Sequence, residues 1–210
     1  MRNLQNFSTP CLVICLLVLM VAGCRSSTPP VEFYTLASLP GMEMESHEQS
    51  AIRDITIGIG PVQLPQFLNR PQIVIRSGPN KLTVSEFHRW GGYFDQDFLR
   101  VLAQDISILL PTNRVVEFPW DDRADPDFRI AFNVQQFDGQ PGNSVLLNTV
   151  WTIKGRKGAK ALYAKRSIIR QPVSGNDYEA LVAAHSQALA ALSREIAAAI
   201  KNISKEAIDQ

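Results

Sequence analysis

Three runs of alternating apolar and polar residues lie between positions 128 and 169, and they constrain the fold more than any other stretch. They cover 128–134, 145–153 and 162–169, with glycine-containing breaks at 139–143 and 155–158. A period of two residues is that of a strand with one buried face, and glycine-rich breaks are typical of hairpin turns. The segment is therefore predicted to form an antiparallel meander of three long strands.

Helical periodicity is found on both sides of this meander. Apolar residues recur every three or four positions from about Gly92 to Leu110, where Pro111 is expected to stop the helix. A second such run is predicted to start at Asn176 as part of a capping box with Glu179. Residues 205–210 are expected to fray.

Shorter β-rich pieces complete the pattern at 32–36, around Ile57, at 72–78 and 81–87, and at 113–118. The middle two are expected to pair as a hairpin because Gly78, Pro79 and Asn80 favour a tight turn. The predicted class is α+β, with a largely antiparallel, mixed sheet and two amphipathic helices packed on one face.

The first 23 residues are typical of a secretory signal, with a positive start and an apolar stretch too short to span a bilayer. The stretch ends in Val-Ala-Gly-Cys, a pattern of the bacterial lipobox type that predicts a fatty-acylated Cys24. An ordinary signal peptide with a chance cysteine is the other interpretation. We therefore expect a signal peptide at 1–23, a lipidated tether at 24–31, one domain at 32–204 and a frayed tail at 205–210.

Charge and cysteine content exclude several classes of function. Removal of the signal peptide takes away Arg2, which leaves 20 of the 21 lysines and arginines against 20 acidic residues. The net charge is then close to zero, so no global attraction to nucleic acid is expected. Cys11 and Cys15 lie in the signal segment, which leaves Cys24 alone. Intramolecular disulfides, cysteine nucleophiles and cysteine metal sites are therefore not expected.

The sequence has no GxSxG, HExxH, P-loop or GxGxxG pattern, the motifs of several large enzyme classes. His185 lies on the apolar face of the second helix and is predicted to be a hydrogen-bonded core residue, while His47 and His88 stand apart from it. The chain is expected to be no enzyme, with no metal and no cofactor besides the lipid on Cys24. Four aspartates crowd into one acidic turn that lacks the glycine and glutamate of a calcium loop, namely Asp121, Asp122, Asp125 and Asp127.

Two features of the sequence, a basic hairpin tip and a proline-containing loop, each allow two interpretations. Positive charges at one hairpin tip either meet anionic lipid or keep strand ends soluble; they are Lys154, Arg156, Lys157 and Lys160. The loop from Pro61 to Pro71 places apolar side chains among prolines, where they either cover the edge of the core or meet a partner.

Residues 64–76, LPQFLNRPQIVIR, together with FYTL at 33–36, the Arg89-Trp90 pair and the lipobox, resemble the PqiC (YmbA-type) lipoproteins, auxiliary components of Mce-type ABC transport systems. Asn69 stands where that family more often has aspartate. Gly91, Gly92 and Tyr93 replace its Ala-Glu-Pro after the Arg-Trp pair.

The resemblance implies a non-enzymatic lipoprotein on the periplasmic side of the outer membrane, docking a Mce-domain protein that carries phospholipid between the membranes. It also implies contact with outer-membrane lipid and a homo-oligomeric ring. The residues expected at the partner or assembly interface are Leu64, Phe67, Leu68, Arg70, Arg89 and Trp90. A second hypothesis is a lipid-binding lipoprotein that holds acyl chains in a cavity between helices and sheet. An envelope hydrolase has little support, since Ser, His and Asp occur in no recognisable arrangement.

Overall fold

The computed structural model describes residues 28–40, 55–110, 112–120, 124–156 and 161–208. Cys24, His47, Asp121, Asp122, Lys157 and Lys160 lie outside these ranges. From Val31 onward the chain forms one compact unit. Its strands are β1 Glu32–Tyr34, β2 Ile57–Gln63, β3 Gln72–Gly78, β4 Lys81–Trp90, β5 Val115–Glu117, β6 Phe128–Gly139, β7 Ser144–Gly155 and β8 Ala161–Pro172, and its helices are α1 Phe94–Leu109 and α2 Tyr178–Ile208.

The predicted meander is confirmed as the three longest strands of the sheet. β6 pairs antiparallel with β7, and β7 pairs antiparallel with β8 from Ser144 to Lys154. Alternate side chains of β6 and β7 enter the core, among them Ile130, Phe132, Leu147 and Trp151. The period of two seen in the sequence is therefore the period of burial.

The other edge of β6 is shared between two strands. Its first half pairs in parallel with β2, which in turn carries β5. Its last residue, Gly139, pairs with Ile75 of β3. β3 continues into the predicted hairpin with β4, and β1 adds in parallel at the outer side of β4. The result is a mixed eight-stranded sheet, and the α+β class is confirmed.

Both helices pack against the sheet and against each other, and they bury continuous apolar stripes. α2 continues to Ile208, into the segment that was expected to fray. Within the described part of the chain, neither helix has the length and apolar character needed to cross a membrane.

The predicted capping box of α2 is wrong by one residue. The helix starts at Tyr178, and the carboxylate of Asp177 accepts the amide of Ala180 at 2.8 Å. Asn176 instead lies against Gly142, whose amide donates to the carbonyl of Gly175 at 2.7 Å. This contact with the β6–β7 turn occupies the backbone just before the helix, so the cap falls on the next residue.

A bidentate ion pair joins β3 to β6 beside their single paired position. Arg76 donates from Nε and Nη2 to the two carboxylate oxygens of Asp138, each at 2.8 Å. The Asp138 side chain is fully buried and also accepts from Gln136, whereas the Arg76 side chain is partly exposed. The pair supplies directional contacts where the β3–β6 ladder is short.

We expect Asp138→Ala to lower the free energy of unfolding by about 2–4 kcal/mol, because Arg76 would lose a buried partner while keeping some hydration. Lys165→Ala is the matched control, since it removes a more exposed pair with Glu195 at 3.0 Å and is expected to cost about 1 kcal/mol or less. Urea denaturation followed by circular dichroism measures both. Equal losses in the two variants would contradict a special role for the Arg76–Asp138 pair.

Candidate docking groove

The loop between β2 and β3 folds back on itself through short backbone hydrogen bonds. The amides of Leu68 and Asn69 donate to the carbonyls of Pro65 and Gln66 at 2.9 and 3.2 Å. Leu68 is only 4% exposed, and Leu64 and Phe67 are partly buried against the core. These apolar side chains therefore cover the edge of the core, one of the two alternatives that the sequence left open.

Trp90 connects this loop to the interior. Its amide donates to the carbonyl of Pro71 at 2.7 Å, and its ring stacks on Phe94 with centroids 4.5 Å apart. The edge of the ring faces His185 at 5.9 Å. The tryptophan of the Arg-Trp pair is thus a core residue, and a partner cannot reach most of it.

Two arginines of the family-like stretches, Arg70 and Arg89, reach the surface. Arg70 is exposed and donates from Nε to Gln72 at 3.3 Å, and Gln72 is paired in register with Arg89. Of the six predicted interface residues, Arg70 and Arg89 therefore share one neighbourhood outside the core. Leu68 and Trp90 support it from beneath.

Arg89 lines a groove of about 530 Å³ on the strands β3 and β4 and the residue before β1. Its Nε is buried and has no hydrogen-bond partner among the described residues. A buried guanidinium nitrogen without an acceptor is costly, so the groove is suited to a ligand that supplies one. The lining residues are Val31, Gln72, Val84, Ser85, Glu86, Phe87 and Arg89.

No residue of either helix lines this groove. Between the helices and the sheet, aromatic rings fill the interior instead. Phe98 contacts Phe132 and Phe137 with centroids 5.6 and 5.9 Å apart, and Phe94 contacts Phe137 at 5.6 Å. This packing gives no support to an acyl chain held in that space.

His185 is part of this interior, as predicted. Its Nδ1 lies 2.8 Å from the carbonyl of Leu181, and its ring centroid lies 4.9 Å from that of Phe137. Burial lowers the pKa of the imidazole to about 4, against the weaker opposing effect of the carbonyl contact. The side chain is therefore neutral at physiological pH.

The segment after β1 is fastened to both helices, and we call residues 35–39 the strap. The amide of Leu36 donates to Asp97 at 2.7 Å, while Arg100 donates to the Leu36 carbonyl at 2.8 Å. Further along, the amide of Leu39 donates to Asp105 at 2.7 Å. Leu36 itself is buried in the core. The strap is therefore an integral part of the folded domain.

Asp105 is the buried anchor of the strap. It also accepts the hydroxyl of Ser193 on α2 at 2.9 Å, and burial raises the pKa of its carboxyl despite these hydrogen bonds. The sequence signal was an acid inside the apolar stripe of α1, next to Ile106. Sequence reasoning missed it because both partners, Leu39 and Ser193, are distant in the chain.

A polar cluster holds β1 itself. Tyr34 donates to Glu32 and lies 2.9 Å from Nδ1 of His88, whose ring stacks on Tyr178 with centroids 3.7 Å apart. Burial, and then the hydrogen bond to Glu32, raises the pKa of the Tyr34 hydroxyl. Strand β1 is thereby tied to the first turn of α2.

The described ranges contain no group of three or more metal-ligating side chains. Asp127 accepts the amide of Thr56 at 2.9 Å and pairs with Arg156, and Asp125 pairs with Arg129 at 3.1 Å. These carboxylates thus have structural partners. Arg156 of the predicted basic tip is engaged with them, and Lys154 is exposed.

A sequence model of the family described as "ABC-type transport auxiliary lipoprotein component" matches residues 34–197. The chain belongs to this family. The recognition made from the motifs is thereby confirmed: the chain is an auxiliary transport component of a lipoprotein family, and such proteins are membrane-anchored. The family is not one of enzymes.

Solved structures confirm the fold. The chain is similar to a protein described only as uncharacterized, with 17% identity and a TM-score of 0.65, covering 82% of this chain and 99% of that one. It is equally similar to a Xanthomonas campestris protein, with 13% identity and a TM-score of 0.66, covering 86% and 100%. A sequence search of curated proteins finds no match.

The buried His185 predicts acid sensitivity. Unfolding returns its pKa from about 4 to its ordinary value of about 6.5, so the unfolded state binds more protons below that value. This side chain's contribution to stability is therefore lost as pH falls from about 6.5 to about 4, by up to about 3 kcal/mol.

Denaturant titrations across this pH range, compared between the native chain and His185→Gln, measure the effect. The variant is expected to lose less stability on acidification, whatever its stability at neutral pH. Parallel pH profiles for the two proteins would contradict the assignment of a neutral, buried imidazole.

Proposed function

We propose that this protein is an outer-membrane-anchored periplasmic lipoprotein that docks the Mce-domain protein of an intermembrane phospholipid transport system. Membership of the auxiliary lipoprotein family supports a non-enzymatic role beside a transporter. The Mce partner and the outer membrane come from the motif resemblance. Arg25 supports the outer membrane because it replaces the aspartate that marks inner-membrane retention in enterobacterial-type lipoproteins.

The observation that carries the proposal is the fastening of the strap. A docking subunit must hold its partner at a defined place relative to the membrane. Here the tether leads into β1, which pairs with β4, and the strap that follows β1 is bound by Asp97, Arg100 and Asp105. A pull on the tether is therefore taken up by the β1–β4 pairing and by the bonds of the strap to α1.

The anchor is proposed to be fatty acid on Cys24. Each buried methylene contributes about 0.8 kcal/mol, so two or more acyl chains hold a protein on a bilayer durably. The tether that follows, Arg-Ser-Ser-Thr-Pro-Pro, contains no apolar side chain large enough to add to this.

Cys24→Ser is expected to abolish incorporation of radiolabelled palmitate and to move the protein out of the outer-membrane fraction. Cys11→Ser is the matched control, since that residue precedes the cleavage site and should leave both measurements unchanged. Palmitate incorporation into the Cys24→Ser protein would refute the assignment of this residue as the anchor.

Partner contact is proposed at the motif loop. Arg70 is exposed and Phe67 is partly exposed, so these two can touch a partner directly. Leu64, Leu68 and Trp90 act through the fold by holding the loop in place. Assembly of several copies as a ring around the transported path is part of the same proposal.

Arg70→Glu is expected to reduce the Mce protein that co-purifies from detergent-solubilised envelopes about tenfold, equivalent to about 1.4 kcal/mol, because a favourable charge becomes repulsive. Arg170→Glu is the matched control, an arginine that is also exposed and lies on the edge strand β8. Unchanged recovery with Arg70→Glu would remove the loop from the interface. If the native chain recovered no Mce protein, the docking role itself would fall.

A further inference from the structure

We propose that the outer face of β1 and β4 rests on the surface of the phospholipid bilayer, with Arg89 meeting a lipid phosphate and Phe33 and Val31 lying at the headgroup level. This proposal rests on the anchor at Cys24 and deepens it by adding a second membrane contact. It gives Arg89 a lipid partner, distinct from the protein partner proposed for the motif loop.

Exposed apolar side chains mark this face. Phe33 is 67% exposed although it sits in a strand, and Val31 and Val84 are more than a third exposed. Phe33 is paired in register with Arg89, so the two side chains leave the same face of the sheet next to each other. Val31 is two residues earlier in the chain and lines the groove with Arg89.

The unsatisfied guanidinium of Arg89 favours an anionic acceptor. Arg89 forms no salt bridge among the described residues, and its buried Nε lacks an acceptor. Arg70 lies near Arg89, because Arg70 donates to Gln72 and Gln72 is paired in register with Arg89. Glu86 is the one carboxylate among the lining residues and offsets the charge of Arg89, and Arg70 adds a positive charge at the margin of the groove. A phosphate is the acceptor that a guanidinium binds with paired hydrogen bonds.

The tether decides between lipid and protein as the occupant. Val31 is seven positions after Cys24, and an extended chain spans at most about 3.6 Å per residue, so Val31 stays within about 25 Å of the acylated residue. Val31 and Phe33 are therefore the exposed apolar residues that the anchor holds nearest to the membrane. A phenylalanine ring gains free energy when contact with the bilayer removes it from water, and a basic residue near an anionic surface adds about 1 kcal/mol.

A tryptophan placed at position 33 reports the contact. The lipidated Phe33→Trp protein is reconstituted into vesicles of phosphatidylethanolamine and phosphatidylglycerol, with or without brominated acyl chains. Bromine quenches tryptophan emission on contact. The native chain supplies the background signal of Trp90, Trp120 and Trp151. We expect a several-fold larger loss of emission for the added tryptophan than for this background.

Ile168→Trp is the matched control, because Ile168 is 64% exposed but lies on β8, at the other end of the sheet from β1. Its added emission should resist quenching. Equal quenching at both positions, or none at position 33 in protein that floats with the vesicles, would overturn the inference and leave the anchor intact. Protein that does not float would refute the anchor, and this inference with it.

Arg89→Gln tests the phosphate contact in the Phe33→Trp background. It is expected to reduce quenching most in vesicles rich in phosphatidylglycerol, where the guanidinium contributes most. Lys81→Gln removes an exposed cation at the far end of β4 and should leave quenching unchanged. If Arg89→Gln behaved like Lys81→Gln, the assignment of a lipid phosphate to Arg89 would be wrong.

Discussion

The shared edge of β6 is the constraint on which the rest of the structure depends. One strand must pair with β2 along its first half and then with β3 at its last residue. A side chain at Gly139 would bring its Cβ within 2.6 Å of the carbonyl oxygen of Ser144, so this crossing requires glycine. The bidentate contact between Arg76 and Asp138 then holds β3 where the ladder is too short to do so alone. Strands β4 and β1, and the groove they carry, are positioned through this junction.

The residues of the family-like stretches fall into two groups: those that are buried and support the fold, and those that are left at the surface. Trp90 joins the loop, α1 and α2 through one hydrogen bond and two ring contacts. Leu68 is equally buried. Their presence in a motif is therefore explained by folding. Arg70 and Arg89 are not needed for packing in the same way, because one is exposed and the other has a buried nitrogen without an acceptor. A functional explanation is accordingly required for these two arginines.

Local patterns predicted the meander, the hairpin and both helices because burial there follows a short period along the chain. The same patterns could not reveal the strap, since its bonds join residues 61–66 positions apart. They also placed the cap of α2 on Asn176, because the contact of Asn176 with Gly142 depends on the β6–β7 turn. The groove arises from parallel pairing of β1 with β4, which no local pattern encodes. Proline in the 61–71 loop likewise removed the periodicity that would have shown Leu68 to be buried.

The side chains of β1 point alternately to the two faces of the sheet, and only those on the inner face are needed for folding. Glu32 and Tyr34 point toward His88 and Tyr178 and tie the strand to α2, and Leu36 then enters the core. Phe33, between them, points the other way and contributes little buried area. A polar residue would satisfy the strand at this position equally well, and exposing a large aromatic ring to water brings no stability. The fold therefore gives no reason for phenylalanine here. The bilayer contact proposed for this strand would supply one.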